Sequence, residues 1–100
     1  MRFEWDEQKE RRNWLKHKVR FDVALRVFDD AWAVSFLDRV VEGEPRSQTI
    51  GMVPRTTGGS VLLLVAHTAM EVEGEEVIRI ISARKATPRE RRVYEEGHAS

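Results

Sequence analysis

Residues 60–68 contain the run Val61-Leu62-Leu63-Leu64-Val65-Ala66, the longest apolar stretch in the chain. These six residues are far short of the roughly 20 that a membrane-crossing helix needs. A strand with no polar alternation has no side to give to water, so it belongs at the centre of a sheet. The rest of the chain must therefore supply neighbours for it. Ala33 to Leu37, Ser47 to Val53 and Val77 to Ala83 read as three further strands. Turn chemistry separates them: Glu42-Gly43-Glu44-Pro45, then Pro54 to Ser60 with Gly58-Gly59, then an acidic stretch from Glu71 to Glu76. Connections this short join antiparallel strands.

Helices flank this β region. Asp6 is placed as an N-cap for a polar helix reaching about Lys18, while Phe3-Glu4-Trp5 before it reads as a short extended or packing segment. Phe21, Ala24, Leu25 and Phe28 fall at i, i+3, i+4 and i+7, a core-facing stripe on a short second helix that Asp29-Asp30 ends. Thr87-Pro88-Arg89-Glu90 combines an N-cap, a proline at the first helical position and a glutamate three residues after the cap. It opens a last helix over Pro88 to Glu96, terminated by Gly97. The expected architecture is α+β: two N-terminal helices, a four-stranded antiparallel sheet and a C-terminal helix, in one domain spanning residues 1–100 with its core at about 3–96.

The chain has 17 basic and 17 acidic side chains and no cysteine. The missing thiol excludes a disulfide framework, a cysteine nucleophile and a sulfur-ligated zinc site. No signal-peptide core follows Met1, so a cytoplasmic protein is expected. His17, His67 and His98 are scattered without metal-ligand spacing, and neither a metal nor a cofactor is expected. The zero net charge conceals segregation. Glu71, Glu73, Glu75 and Glu76 form a wholly acidic stretch. Arg84, Lys85, Arg89, Arg91 and Arg92 oppose only Glu90 over nine residues. A ligand feels the local patch, since charges separated by more than about 8 Å are screened in physiological salt.

Arg79 adds a long cation to the middle of an apolar strand, where it needs a partner or a site. With Arg84, Lys85, Arg89, Arg91, Arg92 and Tyr94 it makes a constellation at the junction of the last strand and last helix. Forked guanidinium donors suit phosphate oxygens, and a tyrosine can stack or hydrogen-bond. Strand alternation puts Arg79 on the face of Val77 and Ile81, and Arg84 on the opposite face with Ile78 and Ile80, so both reach one site only if the chain bends after Ser82 or Arg84 lies in the loop.

Phe3-Glu4-Trp5-Asp6 with Lys9, Asn13 and Lys16-His17, then Phe21, Ala24 and Val27-Phe28-Asp29-Asp30, resembles the opening of the BrnT toxin family. Gly43-Glu44-x-Arg46, Ile50-Gly51, His67-Thr68, the run Ile78-Arg79-Ile80-Ile81-Ser82-Ala83-Arg84-Lys85-Ala86-Thr87, then Glu90-Arg91 and Tyr94, resemble its second half. The resemblance implies a RelE-like fold and a ribonuclease that halts translation by metal-independent cleavage. It also implies a BrnA antitoxin of ribbon–helix–helix fold, with operator DNA contacted only through that antitoxin. By the same resemblance Arg79 and Arg84 stabilise phosphate charge with Arg46 as helper, and His67, Glu90 and Tyr94 compete for proton transfer. Arg46, Lys85, Arg89, Arg91 and Arg92 are the expected RNA-binding residues.

Ala69-Met70 departs from the family pattern, in which a charged residue often follows His-Thr soon after. The alternative is therefore a non-catalytic binding module that acts as co-repressor with a DNA-binding antitoxin. A third reading leaves the basic face as solvated surface alone.

Overall fold

The computed structural model describes residues 1–97, and His98 lies outside them. In chain order the elements are β1 (Arg2–Trp5), α1 (Glu7–His17), α2 (Phe21–Ala24), a 3-10 segment (Leu25–Asp29), β2 (Val34–Val41), β3 (Glu44–Pro54), β4 (Ser60–Val72), β5 (Glu75–Lys85) and α3 (Pro88–Glu96). The sheet order is β1-β5-β4-β3-β2, with β4 in the middle as its apolar run requires.

Four antiparallel strands were expected; the sheet has five and is mixed. Phe3-Glu4-Trp5 forms most of an edge strand parallel to β5, with Phe3 opposite Ile78 and Trp5 opposite Ile80. The two aromatics sit either side of Glu4 and so point the same way. Phe3 packs on Phe28 with ring centroids 5.4 Å apart, and Trp5 meets Phe21 edge-on at 6.1 Å. Four residues carry too little alternation to announce a strand on their own.

The second helix also differs from expectation. It is α-helical only over Phe21–Ala24 and tightens into a 3-10 segment, Leu25–Asp29. A 3-10 turn repeats every three residues. The fully buried positions are accordingly Phe21, Ala24 and Val27, while Leu25 and Phe28 are only partly covered. Gly51 of β3 lies under this turn, where a Cβ would come within 2.8 Å of Val27 Cβ.

The sheet has two covered faces. On its back face Val19, Phe21, Ala24 and Val27 pack against Val53, Leu63, Val65, Ile78, Ile80 and Ala83. On its front face Tyr94 of α3 packs with Ile50, Leu62 and Leu64. β4 thus feeds both cores, each buried Leu or Val contributing about 1.5–3 kcal/mol.

Several start and stop signals act as read. The Asp6 carboxylate accepts the N–H groups of Gln8 and Lys9 at 2.8 and 3.2 Å. Lys18 closes α1 in the left-handed region with φ 58°. Thr87 and Glu90 form a reciprocal capping box at the start of α3. The acidic stretch is a tight hairpin: Glu71 pairs with Glu76 and Val72 with Glu75, leaving Glu73-Gly74 as a two-residue turn with φ 52° and 81°. Both turn residues have positive φ, as a two-residue hairpin of primed type requires.

Candidate functional site

β5 carries a bulge. Ala66 faces Ser82 but the next β4 residue, His67, faces Ile80, so Ile81 has no partner. Beyond that extra residue the alternation of β5 reverses. Ile78, Ile80 and Ala83 consequently all enter the same back-face core, although Ile80 and Ala83 are three apart. The bulge also brings Arg79, opposite Thr68, and Arg84, opposite Leu64, onto the same front face. Unbroken alternation put them on opposite faces, and that expectation is corrected. The two rows are four residues apart on β4, a separation of about 13 Å.

Arg46 shares this face. It stands opposite Arg39 across the β2–β3 pair and one position beyond Ser47, which faces His67. Two cations directly across a strand pair repel each other. Arg39 reaches Asp38 at 3.3 Å, whereas Arg46 Nε is buried without a hydrogen-bond partner. Arg79 donates from Nε and another guanidinium nitrogen to Glu4 Oε1 at 3.2 and 3.1 Å, in a pair exposed to solvent.

Arg84 is held more tightly. Its two terminal nitrogens donate to the two carboxylate oxygens of Glu90 at 2.8 and 2.9 Å, and Glu90 also accepts the Thr87 N–H at 2.9 Å. The Arg84 guanidinium holds the Glu90 carboxyl below the usual carboxylate range, and Glu90 in turn pushes Arg84 up. The pair fixes the strand–helix junction as a salt link and keeps both partners ionised.

The remaining expected site residues are dispersed. His67 points to the back face, 5% exposed, its ring edge-on to Phe28 at 5.0 Å. Its Nε2 lies 2.8 Å from Thr49 Oγ1, which is 2.7 Å from Ser35 Oγ, and burial pushes its proton affinity down. Tyr94 is 7% exposed within the front core. Its hydroxyl donates to Asp30 Oδ2 at 2.7 Å, and burial, with the Asp30 carboxylate, pushes the phenol up to about 12. Asp30 also accepts the Met52 N–H at 2.8 Å, so it ties α3 to the sheet edge. Lys85 faces Leu63 on the back side, in a groove of about 380 Å³ shared with Trp14, Lys18, Arg20 and Arg55. Arg89, Arg91 and Arg92 are exposed on α3, and Arg91 lies 4.0 Å from Glu95. The basic cluster that is contiguous in sequence is therefore divided between the two faces of the sheet and the outside of α3.

Along the free edge of β5, sequence reasoning missed an arrangement. Asn13 of α1 is buried, donates to the carbonyls of Val19 and Ala83 at 2.9 Å each, and accepts the Ala83 N–H at 3.0 Å. It stands in for a neighbouring strand where β1 has ended. Lys9, Arg12, Asn13 and Lys16 fall at i, i+3, i+4 and i+7, a single helix face. That spacing was readable, but such a stripe is sought among apolar residues. Among the described residues no group of three or more His, Asp or Glu side chains could hold a metal ion.

A family model described as the ribonuclease toxin BrnT of a type II toxin–antitoxin system matches residues 5–90. The chain belongs to the BrnT family. It is thus of a ribonuclease toxin family, and a BrnT toxin of a type II system has an antitoxin partner. The bulge, the Arg84–Glu90 pair and the Asn13 anchor all lie within the matched BrnT segment. A search of the curated proteins finds no match. No helix among the described residues of this BrnT chain is long and apolar enough to cross a membrane.

Proposed function

We propose that this chain is a RelE-like endoribonuclease that cleaves RNA without a metal and holds the RNA backbone with arginines on the front face of its sheet. The observation that carries the reading is the β5 bulge, which sets Arg79 and Arg84 on the face that also holds Arg46. In such cleavage the RNA 2′-oxygen attacks the adjacent phosphorus and charge gathers on the non-bridging oxygens. Guanidinium groups fixed beforehand stabilise that charge without reorganising. Arg79, exposed beside Glu4, is the principal phosphate ligand. Arg46, with its unpartnered buried Nε, is the helper. Arg84 acts from within its link to Glu90, and Arg89 and Arg92 on α3 extend the attraction for the RNA backbone.

Its antitoxin is a ribbon–helix–helix protein of BrnA type in the same cytoplasm, and operator DNA is contacted through that partner. The test is induction of the chain alone. Growth should stop and RNA should fragment, and Arg79→Ala should relieve both while the protein stays folded. Normal growth with intact RNA in cells holding soluble wild-type chain would sink the reading. If that chain instead tightened an antitoxin's hold on operator DNA, the co-repressor alternative would stand.

A further inference from the structure

RNA cleavage needs a group to move a proton as well as cations to hold phosphate. His67 is sealed on the back face, Tyr94 is buried against Asp30, and Glu90 is held by Arg84. His17 is the other histidine among the described residues, and it is only half-buried. It ends α1, on a groove of about 360 Å³ between that helix and the β5 bulge. Lys9, Arg12, Lys16 and His17 line the groove from the helix, and Ile81 and Ser82 line it from the strand.

Three features make this a built site rather than a solvated helix face. The groove holds three permanent cations and no acidic side chain. Lys9 and His17 are half-buried, and neither forms an ion pair with a described residue. Asn13, between them on the same face, is locked to Ala83 by two hydrogen bonds, which fixes the helix against the strand. Lys9 also lines the adjoining pocket, where Arg79 stands with the carboxylates of Glu4 and Asp6, so the groove continues to the arginine assigned to phosphate. From Lys9 to His17 the cationic edge runs about 12 Å.

We infer that this groove binds the RNA backbone at the bond being cut, with His17 as the catalytic proton acceptor. The inference rests on the ribonuclease reading, supplies the base it lacks, and sets the cut bond in the groove, with Arg79 on phosphates further along the strand. The 2′-hydroxyl gives its proton to the His17 imidazole as the O2′–P bond forms. The P–O5′ bond breaks, the leaving 5′-oxygen takes a proton from solvent, and the His17 imidazolium returns its proton to solvent. The products are a 2′,3′-cyclic phosphate and a 5′-hydroxyl, and no other reactant is consumed. Imidazole is the side chain best able to accept and return a proton near neutral pH. Lys9, Arg12 and Lys16 hold the phosphates on either side of the bond.

The test uses the purified full chain and a short single-stranded RNA under single-turnover conditions. Wild type should release the cyclic phosphate. His17→Ala should cleave at least about 100-fold more slowly, bind the RNA within about threefold of wild type, and regain activity when imidazole is added. His17→Gln, which keeps a side chain of similar reach able to hydrogen-bond, should be equally slow. Cleavage by His17→Ala within about threefold of wild type would overturn the inference. So would a loss that imidazole does not repair, or a melting temperature that collapses in both variants, since each assigns His17 to structure. If wild-type chain cleaves no RNA at all, the ribonuclease reading fails, and the two failures are told apart.

Discussion

Asn13 is the residue through which a local substitution should act on both the fold and the groove. Its amide makes three hydrogen bonds, two to Ala83 and one to Val19, all buried. Asn13→Ala removes them and leaves an N–H and two carbonyls without partners. At about 1 kcal/mol for each bond the loss is about 3 kcal/mol, and each orphaned buried group pushes it higher. In a domain of this size 1 kcal/mol lowers the melting temperature by about 4–8 °C, so a fall of roughly 12–24 °C is expected. Urea unfolding followed by tryptophan fluorescence reads the same loss as a lower midpoint with an unchanged slope. A loss below about 1 kcal/mol would refute the reasoning, because water would then be replacing all three bonds. Asn13→Asp gives a second check. Its carboxylate accepts the Ala83 N–H but faces the two carbonyl oxygens, so at neutral pH it should be no better than alanine. The protonated acid can donate to one carbonyl, so the folded state keeps a proton that the unfolded chain releases near pH 3.9. That variant's stability is therefore lost as pH rises and regained as pH falls.

Wild-type stability should fall with acid in two steps. His67 is pushed below its ordinary 6.5, so the unfolded chain takes up a proton first and stability declines as pH drops below about 6.5. Glu90 is held below its ordinary 4.5, so its contribution is present above that value and lost as pH falls through the lowered one. Thermal melts across pH should show Glu90→Gln flattening the second step alone. Tyr94→Phe keeps the ring in the front core and removes the bond to Asp30, at a cost of about 1–3 kcal/mol for a bond to a charged group. RNA cleavage by the folded variant should be unchanged, and a large fall would restore Tyr94 as a catalytic group. Gly51→Ala forces a methyl to 2.8 Å from Val27 Cβ, and calorimetry should show destabilisation of about 1–3 kcal/mol from overpacking.

Much of the fold is legible residue by residue because its signals are local. The Asp6 cap, the Thr87–Glu90 capping box and the central run of β4 each depend on residues a few positions apart. Other features depend on what lies beside them. Arg2–Trp5 becomes a strand because β5 offers a parallel edge and the back core takes its aromatics. Val27 displaces Leu25 and Phe28 from full burial because the backbone tightens to three residues per turn against Gly51. His67 sits on an apolar strand in either view, and its distance from the arginines follows from the face it takes.

By itself the sequence determined the order of the last four strands and the last helix, the central strand, the helix caps and the set of arginines from which a phosphate site could be built. Only the tertiary structure decided which of those arginines share a face. Alternation assigns faces only while a strand stays in register, and one unpaired residue, Ile81, reverses it. Register is set by pairing between strands distant in sequence, which is why Arg79 and Arg84 converge on one face while Lys85, next in the chain, does not.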